Sequence, residues 1–185
     1  MESSGNCNPV ELPRLSADGL LLRAFEYSDL PLVQEAAADP YIPHVTTVPA
    51  TFNENEGMEF IRRQWSRSAN GEGYSFAIVR VPGDRAIGQA WLSLQNATEG
   101  RVSIGYWIGR SARGKDVATQ ALLLISRWAA LLPNVCRLEL YVEPWNTPSL
   151  RVAEKAGYRR EGLIEHEHKD MLLYFLLSRE ITNST

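Results

Sequence analysis

The spacing of apolar residues changes several times along the chain, and each change marks an element. GLLLRAF (Gly19–Phe25) is a short apolar run and predicts a first strand. Ser28-Asp29, with Pro31 just behind, reads as a helix start, and LPLVQEAAA continues that helix until Asp39-Pro40 breaks it. Tyr41–Phe52 is interrupted by Pro43 and Pro49 and reads as a loop. A second helix follows from Asn53 to Ser68. There Met58, Phe60, Ile61 and Trp65 recur at helical spacing while Arg62, Arg63 and Arg67 fall outward.

Beyond that helix the apolar runs shorten to strand length. YSFAIVRV (Tyr74–Val81), AIGQAWLSLQ (Ala86–Gln95) and RVSIGYWIG (Arg101–Gly109) are separated by the turn-forming PGDR and NATEG and predict an antiparallel meander. A long helix runs from about Gly114 to Leu132, where Pro133-Asn134 stops it. CRLELYV (Cys136–Val142) alternates as a strand does. NTPSLRVAEKAG (Asn146–Gly157) predicts a short helix capped by Asn146 and ended by Gly157. YRREGLI and DMLLYFLLSR supply two last strands. The order βαα-βββ-α-β-α-ββ defines a mixed α/β (α+β) fold with one central sheet over residues 14–180. Residues 1–13, rich in Ser, Asn and Pro, predict a flexible leader, and residues 181–185 a short tail.

A length of 185 residues suits one core. The net charge of −3 gives no general attraction to nucleic acid or anionic lipid, so any anion site must be built locally. No apolar run nears the roughly 18 residues of a membrane span, and the N-terminus lacks a basic-then-apolar leader. The expectation is a cytoplasmic protein with neither nucleic acid nor membrane as partner. Cys7 and Cys136 are too few for a disulfide framework, and Cys136 is expected as a buried thiol opening its strand. His166 and His168 alternate along the chain without a third ligand, so no metal is expected.

In IGRSARGKDVATQAL the chain gathers Arg113, Gly114 and Lys115 at the mouth of the apolar helix. A helix start exposes N–H groups with no internal partner, and the macrodipole adds partial positive charge. Glycine lets a phosphate approach the backbone closely, so a local anion site is expected here. Neither G-x-G-x-x-G nor G-x-x-x-x-G-K-S/T is present, which disfavours a dinucleotide or P-loop fold.

The same residues resemble the strand-to-helix signature R/Q-x-x-G-x-G/A of the GNAT superfamily of acyl-CoA-dependent N-acyltransferases. Arg113, Gly114, Lys115, Asp116, Val117 and Ala118 fill the six positions. VEPWNTPSLRVAEKAGYRREG (Val142–Gly162) resembles the second signature, N-x-x-S with a closing L/A-G-F/Y. LLLRAFEYSDL and DMLLYFLLSRE resemble the RimJ/RimL-like branch, which acetylates protein N-termini. The resemblance covers about residues 14–180 in order. It implies that SIGYWIG and CRLELYV are parallel strands that splay apart. The pantetheine arm of acetyl-CoA would then bond to strand backbone near Trp107 and Ile108 and to Asn146. The amides of Arg113, Gly114, Lys115, Asp116, Val117, Ala118 and Thr119 would hold the diphosphate, with the cations neutralising it. Asp116 departs from the pattern, which has Gly there, and its side chain is expected to point to solvent.

Many superfamily members carry a Tyr seven residues after the helix-opening Asn, where this chain has Ala153. Ser149 is therefore the implied proton donor to the departing thiolate, beside its place in the cofactor site. Glu167 and His168, in the turn EHEHKD (Glu165–Asp170), are the candidate proton acceptors, with a water relay as the alternative. That turn is short for the branch, which leaves the acceptor mouth open, and His44 is placed to face the acceptor. The implied function is transfer of an acetyl group from acetyl-CoA to a primary amine, either a protein N-terminus or a small molecule. Two alternatives stand beside it. One is a catalytically degenerate CoA-binding or sensing module, motivated by Asp116 and the missing Tyr. The other is transfer of a larger acyl group such as succinyl. A homodimer is compatible with each.

Overall fold

The computed structural model describes residues 12–182. Strands β1 (Leu15–Ala17), β2 (Leu20–Arg23), β3 (Gly73–Arg80), β4 (Ala86–Ser93), β5 (Arg101–Ile108), β6 (Arg137–Val142), β7 (Arg159–His166) and β8 (Lys169–Leu177) form one sheet. Their order is β1-β2-β3-β4-β5-β6-β8-β7, and every neighbouring pair is antiparallel except β5 with β6. The helices are α1 (Leu30–Ala37), α2 (Ile42–Val45), α3 (Glu54–Ala69), α4 (Val117–Ala129), α5 (Thr147–Lys155) and α6 (Ser178–Thr182).

Strand alternation sorts the core into two layers. Leu22, Phe76, Ile78, Leu92, Val102 and Leu138 meet α4 through Ala121, Leu122 and Ile125. Ala77, Val79 and Trp107 on the other face meet Phe25, Leu32, Val33, Phe60 and Ile61 from the α1 and α3 side. With both faces covered, β3 needs no polar side, which is why it reads as an almost unbroken apolar run. Burying Leu122 and Ile125 completely is worth about 1.5–3 kcal/mol each, and that anchors α4 against the sheet.

Several expectations change. The first strand is a hairpin, with Leu15–Ala17 paired to Leu20–Leu22 across Asp18-Gly19, both at positive φ. The segment Tyr41–Phe52 contains α2, because Asp39 accepts from the Tyr41 and Ile42 amides and caps it. Helix α4 begins at Val117, three residues later than expected, since Gly114 and Asp116 take left-handed backbone that no helix continues. Cys136 is exposed rather than buried. Its neighbour Val135 takes the inward position, and β6 begins only at Arg137. Most of the leader, with Cys7, lies outside the described residues, although Leu12 is buried against the core. Among the described residues no helix is long and apolar enough to cross a membrane.

The feature that positions the site is a broken pairing. Strands β5 and β6 pair in parallel only at Arg101–Ser103 with Arg137–Glu139. Beyond those residues β5 stays with β4 and β6 stays with β8, so Ile104–Ile108 and Leu140–Val142 diverge.

Candidate active site

The gap between the diverging strands opens into a cleft of about 1040 Å³, at the top of the range of about 300–1,000 Å³ for small-molecule sites. Strand parity decides what it offers. The Gly109 N–H donates to the Ile87 carbonyl of β4 at 2.9 Å. Alternation then directs the backbone of Trp107 to β4, and that of Ile104, Tyr106 and Ile108 into the gap. Trp107 thus contributes no backbone group here. Its indole lies on the opposite face, donating to Gln89 at 2.7 Å.

One wall is the loop into α4. The first backbone bond of the helix runs from the Gln120 N–H to the Asp116 carbonyl, leaving the Val117, Ala118 and Thr119 amides without an intrahelical acceptor. Gly114, Asp116, Val117, Ala118 and Thr119 all line the cleft. The two cations expected to neutralise an anion do something else. Arg113 Nε donates to the Ile108 carbonyl at 2.9 Å, and its Nη2 to Asp39 at 2.8 Å, so this guanidinium clamps the loop to the end of β5 and to the α2 cap. Burial pushes the Asp39 carboxyl up, but the Tyr41 and Ile42 amides and Arg113 outweigh it and hold it below its ordinary value. Lys115 reaches back to the Ser111 carbonyl at 3.4 Å and does not line the cleft. The cations that do line it, besides Arg113, are Arg151, Lys155 and Lys169. No motif distinguished Arg151 and Lys155 in the sequence. Their i, i+4 spacing on the short helix after the Asn cap was the available signal.

Asp116 sits at φ 58°, a backbone region that costs most residues about 1–2 kcal/mol and that Gly or Asp tolerates best. This conformation is the physical reason for a glycine there. Its side chain is 53% exposed, accepts from the Thr119 hydroxyl at 2.9 Å and pairs with Lys155 at 3.3 Å. The carboxylate is thus half in solvent, with Lys155 beside it.

The other wall is α5. The Asn146 carbonyl oxygen caps it by accepting from the Ser149 N–H at 3.2 Å, while its amide nitrogen donates to the Tyr41 hydroxyl at 3.4 Å. Ser149 lines the cleft close to the Tyr106 hydroxyl. Among the described residues the fully buried Tyr106 oxygen has no well-aligned hydrogen bond, with the Ser149 hydroxyl as its polar neighbour. Burial raises its pKa, opposed in part by Ser149, so it stays protonated.

Tyr41, His44, Glu143 and the β7–β8 turn also line the cleft. This turn is a two-residue loop with Glu167 and His168 both at positive φ, where Asn-Gly is the unstrained choice. Glu167 lines the cleft. His168 does not. It is 99% exposed and lies 3.8 Å from Glu165. Replacing both residues by Asn-Gly is expected to stabilise the protein by about 1 kcal/mol. Thermal unfolding checks this, and turnover of the same variant shows whether either side chain takes a proton.

A broken parallel pair at the sheet centre, with free helix-start amides on one wall and hydroxyls on the other, is the arrangement that the GNAT resemblance implies. The family model described as acetyltransferase (GNAT) domain matches residues 19–159, and the chain belongs to the GNAT acetyltransferase family. It is an N-acetyltransferase by that membership. The chain is 27% identical over 172 residues to the uncharacterized N-acetyltransferase p20 of Bacillus licheniformis, covering 90% of this chain and 97% of the relative. Among solved structures, the GNAT-family acetyltransferase from Bacillus anthracis matches with a TM-score of 0.74 at 24% identity, covering 90% of this chain and 99% of that one. Mycobacterium smegmatis RimJ in complex with CoA-disulfide matches with 0.76 at 22%, covering 93% and 89%. The RimJ/RimL-like likeness and the mixed sheet thus agree with the sequence.

Proposed function

We propose that the chain moves an acetyl group from acetyl-CoA to a primary amine, on a protein N-terminus or a small molecule. The observation that carries this is the meeting, in one cleft, of the β5–β6 gap with the unpartnered amides of Val117, Ala118 and Thr119. The residues present fit such a cofactor. The orphaned Tyr106 hydroxyl needs a partner at the Ser149 side, and the gap-facing Tyr106 backbone and Ile108 N–H need partners of the kind a pantetheine amide offers. The helix-start amides, assisted by Gly114 and Lys155, would hold the diphosphate. Asn146 would offer its second amide hydrogen. Acetyl-CoA supplies an activated thioester, and the protein supplies geometry and protons. Ser149 donates a proton toward the sulfur as the C–S bond breaks, with the Tyr106 hydroxyl behind it able to reprotonate Ser149. Of the two expected acceptors in the hairpin turn, only Glu167 lines the cleft, and it would pass the amine's proton on to water at the rim.

Calorimetry with acetyl-CoA, followed by thiol release across a panel of amines, tests the whole. Binding with release supports an enzyme, and binding without release on any amine supports a sensing module. The Asp116→Gly variant adds a sharper check. It removes an anion near the diphosphate site, frees Lys155 and relieves left-handed strain. With half the side chain in solvent the electrostatic gain is about 1 kcal/mol, so acetyl-CoA is expected to bind about fivefold tighter. An unchanged or weaker affinity would remove Asp116 from the loop's electrostatics.

A further inference from the structure

Glu143 follows β6 directly and lines the cleft. Among the described residues, the carboxylates lining the cleft are Asp116, Glu143 and Glu167. Asp116 is committed to Thr119 and Lys155, and Glu167 lies exposed on the hairpin turn. Glu143 is different. Its side chain is only 13% exposed, and its Oε2 accepts from the Tyr41 hydroxyl at 2.5 Å. Tyr41 is fixed in turn by the Asn146 amide and by the edge-on ring of Trp145, whose centroid is 5.0 Å away. Trp145 is 64% exposed, an indole left at the rim of the site rather than in the core. Among the described residues, the cation paired with Glu143 is Lys169 Nζ, 3.8 Å from Oε1 and more than half exposed.

A sheltered carboxylate with one oxygen held, the other facing only a loose lysine, and aromatic rings beside it suits a positively charged nitrogen. We propose that Glu143, oriented by Tyr41, receives the acceptor amine as its ammonium ion and takes the proton that must leave before the nitrogen can react. The proposal rests on the transferase reading above and names the acceptor class: an alkyl amine that is protonated at neutral pH. The arriving ammonium takes the place of Lys169. Glu143 accepts one proton from R–NH3+. The N–C bond forms as the C–S bond breaks, and a second amine proton reaches the sulfur by way of Ser149. Amide and thiol result, and Glu143 returns its proton to water, so one proton is released per turnover.

Burial, then the Glu143 carboxylate, raises the Tyr41 phenol, so it remains a donor to Glu143 throughout. The titratable groups facing this end from other elements are Lys169 on β8, His166 on β7, Tyr141 on β6, Tyr106 on β5, Glu167 in the hairpin turn and His44 on α2. Tyr106 couples to Tyr41, while Tyr141 is stacked on His166 and donates to Glu139 at 2.7 Å. Lys169 and Tyr41 therefore make the direct contacts with Glu143.

The test compares ethylamine with 2,2,2-trifluoroethylamine, whose fluorines leave it unprotonated near neutral pH, in wild type and Glu143→Gln. For ethylamine the variant is expected to lose on the order of a hundredfold in kcat/KM. Its rate should climb with pH in step with the free-amine fraction. For trifluoroethylamine the two proteins should agree within about threefold, as no ammonium proton has to be taken before the nitrogen reacts. Tyr41→Phe should fall between, with its loss again confined to ethylamine. Equal losses on both amines would make Glu143 merely structural and overturn the proposal. So would an unaffected variant, or a wild type that binds acetyl-CoA yet acetylates neither amine. Acetyl-CoA calorimetry on Glu143→Gln keeps the outcomes apart. Failure of wild type itself to bind acetyl-CoA sinks the transferase reading instead.

Discussion

Removing both hydroxyls that face the proposed sulfur position, in the double variant Ser149→Ala with Tyr106→Phe, is expected to lower kcat on the order of a thousandfold. Acetyl-CoA affinity should stay within about threefold, since the diphosphate wall is untouched. The size follows from the geometry. Ser149 alone could be replaced by the buried Tyr106 hydroxyl, which has no other hydrogen bond and whose burial keeps it protonated. Each single variant should thus lose less than the square root of the double effect, and the two should be non-additive. Neither substitution opens a large cavity, so melting temperatures should shift little. Single-turnover thiol release with a fixed amine is the measurement. A double variant within about threefold of wild type would move the donor to water.

The second large effect is on stability. Asp29→Ala is expected to lower the unfolding free energy by about 3 kcal/mol, at the lower end for breaking a buried ion pair. Arg23 and Asp29 are almost wholly buried, and the guanidinium meets the carboxylate through two bonds of 2.7 and 2.9 Å. Arg23 also donates to the Ala24 and Asp84 carbonyls, so it stays in place when its partner is lost. The truncation therefore leaves an uncompensated charge in the core. It also frees the Glu26 N–H, which donates to Asp29 at 2.9 Å. Glu26 and Asp84, each 3.7 Å from Arg23, offset part of the loss. Urea unfolding reads the difference, and a loss below about 1 kcal/mol would mean that those outer carboxylates suffice.

This pair shows where local pattern stops. Ser28-Asp29 read correctly as the neighbourhood of a helix start, and Asp29 does accept from a backbone amide there. Nothing in the spacing said that an arginine six residues earlier would be buried against it, because the enclosing layer comes from Phe25 and from α1 and α3 packing on the sheet. The proposed acceptor anchor was hidden in the same way. Tyr41 and Glu143 are 102 positions apart, and Tyr41 stood in a segment that its prolines marked as loop.

By itself the sequence determined the order of the main elements, the mixed sheet, a glycine-bearing helix start after the meander, and the family. Periods of two and 3.6, and the residues that break them, act over a few positions and survive whatever the rest of the chain does. Tertiary structure alone decided that β5 and β6 part after Ser103, and that Tyr106 rather than Trp107 turns its backbone to the gap. It also decided that Arg113 is occupied by Asp39 and the Ile108 carbonyl, and that Glu143 is sheltered beside Tyr41. Those outcomes depend on which distant strand a hydrogen bond finds and which side chain that pairing brings alongside. Neighbours in sequence carry no record of either.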